Sequence, residues 1–275
     1  MSMTATPDAA PLLDRPPSRL EEGHARLFGA VRRVLWFGIG AALVVLAWHL
    51  AVTGFAIPHF IMPTPEAAWE AFRANRPEIG TALAATLRSA LLGLACATAI
   101  ALTLAAMFVA SDTATRAVLP LVIGLRTAPV LAIAPILILI FGRGVGTSIV
   151  VVVIVAFFPI MVNAMKGFRA ARRSALELMH VCGANPVQTF VKVRFPYALP
   201  YIFTGLRMAS ASAILAAMLA EWLSGAPGLG TLILDASAYR NLGLLWAAVA
   251  VSMAVAFAIF TVTAAAEKRT LSWSH

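Results

Sequence analysis

The chain has little charge for its length. Only 12% of its 275 residues are Asp, Glu, Lys or Arg, about half the share of a soluble domain. Four long stretches have none of these residues: Val34–Pro65, Ser89–Ser111, Gly144–Met165 and Asn241–Ala266. Each could cross about 30 Å of hydrocarbon as a helix. These stretches exclude an ordinary soluble protein and predict an integral membrane protein. Their lack of polar and apolar alternation favours helices over a barrel.

Motifs for nucleotide or metal chemistry are also missing. No Gly-x-x-x-x-Gly-Lys-Ser/Thr occurs, so the chain is not expected to cradle ATP phosphates itself. The five histidines lack ligand spacing, and no Ser/His/Asp cluster is discernible. Cys96 and Cys182 cannot form a disulfide framework and are expected to be small packing residues. The sequence therefore predicts no catalytic, cofactor-binding or metal residues and no enzyme activity.

Six membrane spans are predicted, which makes the fold an all-α polytopic bundle. The third contains Pro120, Pro129 and Pro135 and is expected to be kinked or broken. A tail of residues 1–33 precedes the membrane domain, residues 34–266, and residues 267–275 form a second tail. The spans are Val34–Thr53, Thr81–Ala110, Ala117–Phe141, Val145–Met165, Tyr197–Ala220 and Leu242–Ala266.

Lys and Arg residues concentrate at the span ends of one side, which predicts that both termini are cytoplasmic. This clustering argues against nucleic-acid binding despite the formal net charge of +9. Two segments on the other side have helical signals. Thr64 and Pro65 favour the start of an amphipathic helix over Glu66–Ala74, and a short helix is expected over Thr231–Tyr239.

The most informative segment is a polar, basic loop over residues 166–196, between two apolar runs. Good helix formers predict a helix over Ala170–Val181, which Gly183 ends. Asn185 and Pro186 favour the start of a second short helix, Pro186–Val193, before the next span. The loop is therefore expected to be a helix–turn–helix elbow. It could also be a basic loop that binds anionic lipid headgroups.

The elbow's spacing resembles the Glu-Ala-Ala loop of ABC importer permeases. Glu177 is followed six residues later by Gly183, and Val193-x-Phe195-Pro196 follows ten residues after the glycine. Leu178 and Met179 stand where that loop has two alanines. Further segments resemble the nitrate/sulfonate/taurine branch of these permeases: Phe60–Pro65, Ala134–Leu137, Phe141–Gly144, Phe157–Ile160, Gly205–Arg207 and Gly228–Gly230.

The resemblance implies a bacterial inner-membrane subunit that works as a pair and does no covalent chemistry. Each copy would insert its elbow into an ATPase subunit, and the ATPase dimer would bind ATP and Mg²⁺. A periplasmic binding protein would deliver a small, anionic, nitrate-, sulfonate- or taurine-like solute. The implied ATPase-coupling residues are Glu177, Gly183, Ala184, Asn185, Pro186 and Pro196.

Charged residues near the spans have two interpretations each. Arg126 and Arg207 could line an anion path, or they could pair with backbone carbonyls or reach towards the interface. Glu221 is expected to be an outer-gate or loop-anchoring acid. The alternative function is a stand-alone secondary transporter or channel. No carboxylate is expected firmly within a span, which argues against that alternative, and the absence of a His, Asp or Glu cluster argues against a membrane-embedded enzyme.

Overall fold

The computed structural model describes residues 36, 38–40, 42–58, 61–127 and 130–270, apart from the side chains of residues 125–127 and 131. The chain divides into two units, residues 1–59 and 60–275. In the first unit, the described residues form an apolar helix, α1, within Gly38–Gly54. The predicted tail of residues 1–33 lies outside the described residues.

The second unit is all-helical over the residues that are described. Its longest helices are four apolar ones, and shorter amphipathic or interrupted helices lie between them. In chain order the helices are α2 Pro65–Ala74, α3 Arg76–Ala110, α4 Asp112–Thr127, α5 Val130–Phe141, α6 Val145–Arg169, α7 Arg173–Val181, α8 Pro186–Thr189, α9 Phe195–Ser224, α10 Leu229–Ala238 and α11 Leu242–Thr270.

Four helices are long and apolar enough to cross a membrane: α3, α6, α8 with α9 as one helix over Pro186–Ser224, and α11. They contain the second, fourth, fifth and sixth predicted spans, which confirms the polytopic bundle. α4 and α5 cover the described part of the third predicted span, Ala117–Phe141. Residues 128 and 129 lie outside the described residues, so the kink or break expected in this span stays a prediction. Pro120 and Pro135 lie inside these two helices.

The core forms where α3, α6 and α9 pack together. Small residues let their backbones approach closely, which is how membrane helices associate without a hydrophobic driving force. A Cβ atom on Gly167 would lie 2.8 Å from the Cα atom of Ala198. On Gly205 it would lie 3.0 Å from the Cα atom of Ile160. The α6–α9 contact therefore depends on glycine at positions 167 and 205.

The predicted helices outside the long spans are present. Thr64 caps α2, since its hydroxyl accepts a hydrogen bond from the Ala67 N–H at 3.4 Å, and Pro65 is in the first turn. α10 occupies Leu229–Ala238, two residues earlier than the predicted start at Thr231. α2 and α10 both pack against α11.

Candidate functional site

The elbow consists of α7, a tight turn and α8. Gly183 has φ +66°, a left-handed conformation that favours glycine. Its N–H donates to the His180 carbonyl at 3.0 Å, and the Ala184 N–H donates to the Met179 carbonyl at 2.9 Å. These bonds satisfy carbonyls at the end of α7 and reverse the chain. The predicted termination at Gly183 is confirmed.

Asn185 and Gln188 form a reciprocal cap at the start of α8. The Gln188 N–H donates to Asn185 Oδ1 at 2.8 Å, and the Asn185 N–H donates to Gln188 Oε1 at 3.0 Å. Pro186 follows in the first turn, where its missing N–H costs no helical hydrogen bond. The predicted helix start at Asn185 is confirmed, and the cap fixes the direction in which α8 leaves the turn.

The prediction of a separate helix over Pro186–Val193 is wrong. α8 continues without a break into α9 through a π-helical turn over Phe190–Arg194. The Phe195 N–H donates to the Phe190 carbonyl, five residues back. This wider turn accommodates Pro196, which lacks an N–H and would clash in a regular helix interior. Pro196 is therefore part of a continuous helix and does not end the elbow.

The outer surface of the elbow exposes apolar side chains. Leu178 is 62% exposed, Val181 83% and Val187 70%. Glu177 is also exposed, whereas Met179 is half-buried. Leu178 is one of the two residues that replace the alanines of the family loop. It lies on the outer surface, where a docking partner would contact it. Three exposed aliphatic residues around one turn form an unusual surface for a basic loop.

The base of the elbow is fixed to the end of α6. The Phe168 ring lies against the Phe190 ring, with centroids 4.9 Å apart, and against the Phe195 ring at 6.5 Å. Arg194 Nη1 donates to the Phe168 carbonyl at 3.0 Å. In the sequence Arg194 is one of the basic residues of the loop, and its structural role follows only from this contact across 26 residues.

Arg207 forms an ion pair within the bundle. Its Nη1 lies 3.1 Å from Glu267 Oε2 on α11, and its guanidinium lies 5.8 Å from the centroid of the Phe260 ring. This arrangement matches the structural interpretation of Arg207, with Glu267 as partner rather than a carbonyl. The side chain of Arg126 lies outside the described residues. Its suggested path role stays a prediction, as does that of Arg207.

Glu221 is fully buried in α9 and joins three helices. Its Oε2 accepts hydrogen bonds from Thr86 Oγ1 of α3 at 2.9 Å and from the Gly230 N–H of α10 at 3.0 Å. The Leu229 N–H in turn donates to Thr86 Oγ1 at 2.8 Å. Glu221 therefore anchors the start of α10, one of its two expected roles. Glu221 lies in the last turn of α9, one residue past the predicted span Tyr197–Ala220, so the expectation that no carboxylate lies firmly within a span stays a prediction.

Two glycines allow this anchor to form. A Cβ atom on Gly228 would overlap the Glu221 carboxyl group, and one on Gly230 would overlap the Met218 carbonyl oxygen. α10 can therefore approach α9 only with glycine at both positions. The Gly228–Gly230 segment is recognisable in the sequence. The role of Thr86 is not, because its partner Glu221 lies 135 residues away.

These features define a class of protein: a polytopic membrane bundle with a capped elbow between two of its spans. The chain belongs to the family described as the binding-protein-dependent transport system inner membrane component, whose model matches residues 97–272. The chain is thus an ABC importer permease subunit, in a family whose transport systems place ATP hydrolysis on partner subunits and use a binding protein.

Curated relatives support the nitrate/sulfonate/taurine branch. The chain is 31% identical to the formylaminopyrimidine transport permease protein ThiX of Halalkalibacterium halodurans, over 74% of this chain and 80% of that protein. Identity to the taurine transport system permease protein TauC of Escherichia coli is 24%, over 87% and 89%. Identity to the nitrate import permease protein NrtB of Synechocystis is 32%, over 58% of each.

The fold is similar to that of a solved ABC transporter. A chain from inward-facing conformations of the MetNI methionine ABC transporter aligns with a TM-score of 0.56 and 19% sequence identity. The alignment covers 70% of this chain and 94% of that one. At this identity the likeness concerns the fold alone.

Proposed function

We propose that this chain is one of two identical permease subunits that enclose a solute path, and that its elbow is the docking site for the ATPase subunit. The exposed apolar surface of Leu178, Val181 and Val187 is the observation on which the docking proposal rests. Burying an aliphatic side chain of this size contributes about 1.5–3 kcal/mol. Three such exposed residues on the elbow, with exposed Glu177 on the same helix as Leu178 and Val181, supply apolar area that a protein partner would bury.

The continuous helix from the elbow supports a mechanical role. Pro186–Ser224 contains 39 residues and is about 58 Å long at 1.5 Å per residue. The rings of Phe168, Phe190 and Phe195 join its base to α6. A movement of the ATPase that displaces the elbow would therefore displace α9 and α6 together. Rigid-body motion of this kind is suited to alternating access.

The proposed location is the bacterial inner membrane, with both termini and the elbow in the cytoplasm. Basic residues support this orientation, because Lys166 and Arg169 lie in the last turn of α6, and Lys268 and Arg269 in the last turn of α11. They would also contact anionic lipid headgroups. The periplasmic binding protein would dock at the opposite end, near α2 and α10.

The proposed solute is a small organic or inorganic anion. Relatives named for nitrate and taurine support this class. In this system the binding protein would hold the solute first, and the permease pair would admit it when the partner ATPase binds ATP.

Aspartate substitution on the elbow tests the docking proposal. Val181→Asp and Val187→Asp are expected to abolish co-purification of the ATPase subunit, because a carboxylate cannot be buried without a partner. Tyr239→Asp is the matched control, since Tyr239 is 84% exposed at the end of α10. Equal recovery of the ATPase subunit with all three variants and the parent would refute the proposal.

A further inference from the structure

A groove of about 520 Å³ lies between α3 and α11, next to α2. α3 contributes Arg76, Ile79, Gly80 and Leu83, which are three or four residues apart and therefore lie along one face of the helix. A Cβ atom on Gly80 would meet no atom within 4 Å, so this face leaves open space. The volume falls within the range of small-ligand sites, about 300–1,000 Å³.

The groove runs into the part of the bundle that crosses the membrane. Val251, Ala254 and Val255 of α11 form its other wall and lie inside the last predicted span. Both α3 and α11 are long and apolar enough to cross a membrane. On α3, Arg76 precedes the second predicted span and Leu83 lies within it, about 10 Å further along the helix. One end of the groove is therefore charged, and the rest is apolar and within the hydrocarbon region.

The charge at this end has no protein partner. Arg76 is the one charged residue among the described residues that line the groove. It is exposed and forms no ion pair with any residue that the structure describes. Its guanidinium lies 5.7 Å from the centroid of the Phe72 ring, which favours one position of the charge. A planar guanidinium with several donors matches the oxygens of a phosphate group.

Aromatic residues of α2 place this end at the membrane–water interface. Trp69 is 57% exposed and stacks on Phe72, with ring centroids 5.3 Å apart. Tryptophan is enriched at the level of the lipid headgroups. α2 also buries Ala68 on one side while Arg73 is exposed, as in helices that lie in the plane of the interface. Arg76 therefore lies at the level of lipid phosphates.

From this arrangement we infer that the α3–α11 groove binds a phospholipid, with its phosphate on Arg76 and an acyl chain against Gly80, Leu83 and Ala254. A soluble anion would gain nothing from the apolar walls, and a neutral apolar molecule would leave the arginine without a partner. An amphiphile with an anionic head matches both parts. The site requires only that α3 and α11 cross the membrane, and its place in the outer leaflet rests on the proposed orientation.

A photoactivatable phospholipid tests the groove directly. The chain, assembled with its ATPase subunit, is placed in phospholipid vesicles with a trace of phosphatidylethanolamine that carries a diazirine in one acyl chain. After irradiation, mass spectrometry measures the fraction of residues 77–88 that carries a lipid adduct. Arg76→Gln should lower this fraction about three- to tenfold, because a charge-assisted contact with the phosphate is lost. Ala254→Trp should lower it about fivefold or more, because the indole fills the space of the acyl chain.

Each variant has a matched control outside the groove. Arg73→Gln removes an exposed charge from the last turn of α2, and Met253→Trp adds an indole at a position that is 67% exposed. Neither residue lines the groove, so both should leave the adduct fraction within about twofold. Gly80→Leu is a second groove-filling variant, in case Ala254→Trp assembles poorly. An unchanged fraction in Arg76→Gln or in the filling variant, or an equal fall in its control, would overturn the inference.

Crosslinking separates a lipid from a protein occupant. Gly80→Cys in a Cys96→Ala, Cys182→Ser background is labelled with a maleimide–benzophenone reagent and irradiated in the same vesicles. A product that is heavier by one phospholipid supports the inference. A link to another segment of this chain or to a second copy would show protein in the groove and overturn it. Because neither measurement requires ATPase docking, failure here is distinguishable from failure of the elbow proposal.

Discussion

Thr86 Oγ1 of α3 donates a hydrogen bond to Glu221 Oε2 of α9 at 2.9 Å, and both side chains are fully buried. The same hydroxyl accepts from the Leu229 N–H, and the same carboxyl oxygen accepts from the Gly230 N–H. Two side chains thus satisfy two backbone donors in the first turn of α10, where helical partners are missing. The contact joins α3, α9 and α10 to one another at the end of the bundle where α10 begins.

Thr86→Val should destabilise the protein by about 1–3 kcal/mol, because it leaves the Leu229 N–H and one Glu221 interaction unsatisfied in a buried place. Thermal unfolding of the purified chain in detergent measures the effect. Thr103→Val is the control on the same helix, since exposed Thr103 donates only to the Ala99 carbonyl of its own helix. Equal melting temperatures for the two variants would show that the Thr86 network contributes nothing.

Gly228→Ala should be more damaging than its size suggests. The added Cβ would overlap the Glu221 carboxyl group, so α10 must move away or the anchor must break. We expect a loss of about 2–4 kcal/mol, comparable to the largest single-residue effects. Gly80→Ala tests the specificity, because a Cβ at Gly80 meets no atom within 4 Å. Yield and melting temperature should fall for Gly228→Ala alone.

The Arg207–Glu267 pair should contribute modestly to stability. Arg207 is 35% exposed and Glu267 19%, so solvent screening limits the pair to about 1 kcal/mol. Arg207→Gln and Glu267→Gln should each lower the melting temperature slightly, and the double variant should cost less than their sum. Uptake relative to basal ATPase activity should be unchanged in Arg207→Gln. Selective loss of uptake would restore the anion-path interpretation of this arginine.

Gly183→Ala should weaken the elbow without any steric clash. A Cβ atom there meets nothing within 4 Å, but φ is +66°, which costs a non-glycine residue about 1 kcal/mol. We expect several-fold weaker recovery of the ATPase subunit in co-purification. Gly183→Asn is the informative comparison, since asparagine tolerates this conformation better. If Asn and Ala behave alike, the backbone geometry of the turn is not the cause.

Local signals in the sequence predicted the local structure well. Three helix boundaries are set by atoms within a few residues of each other: Thr64 with Pro65, Gly183 alone, and Asn185 with Pro186. Residue propensity was therefore sufficient to predict these boundaries. The predicted end of a separate short helix at Val193 was wrong for a physical reason. A π-helical turn widens the backbone before the proline and removes the clash that would end a regular helix.

Contacts between distant residues could not be predicted in the same way. Thr86 is an ordinary hydroxyl in an apolar run until α9 brings Glu221 beside it. Both interpretations of Arg207 stayed open in the sequence, because its partner Glu267 lies 60 residues later on another helix. Glu221 and Arg207 were recognised in the sequence, but their partners, Thr86 and Glu267, were not. The elbow was recognisable because its helix boundaries and its family-like spacing lie in one continuous segment.

Site-directed crosslinking at Ala184 is the most direct test of the elbow as the ATPase contact. Ala184→Cys in the Cys96→Ala, Cys182→Ser background is labelled with a maleimide–benzophenone reagent in membranes that contain the complete transporter. Irradiation then couples the benzophenone to C–H bonds of whatever lies beside it, so that the partner needs no cysteine. We expect a covalent adduct with the ATP-hydrolysing subunit, and none from Ser237→Cys, which is exposed in the last turn of α10. An adduct that never contains that subunit would contradict the account.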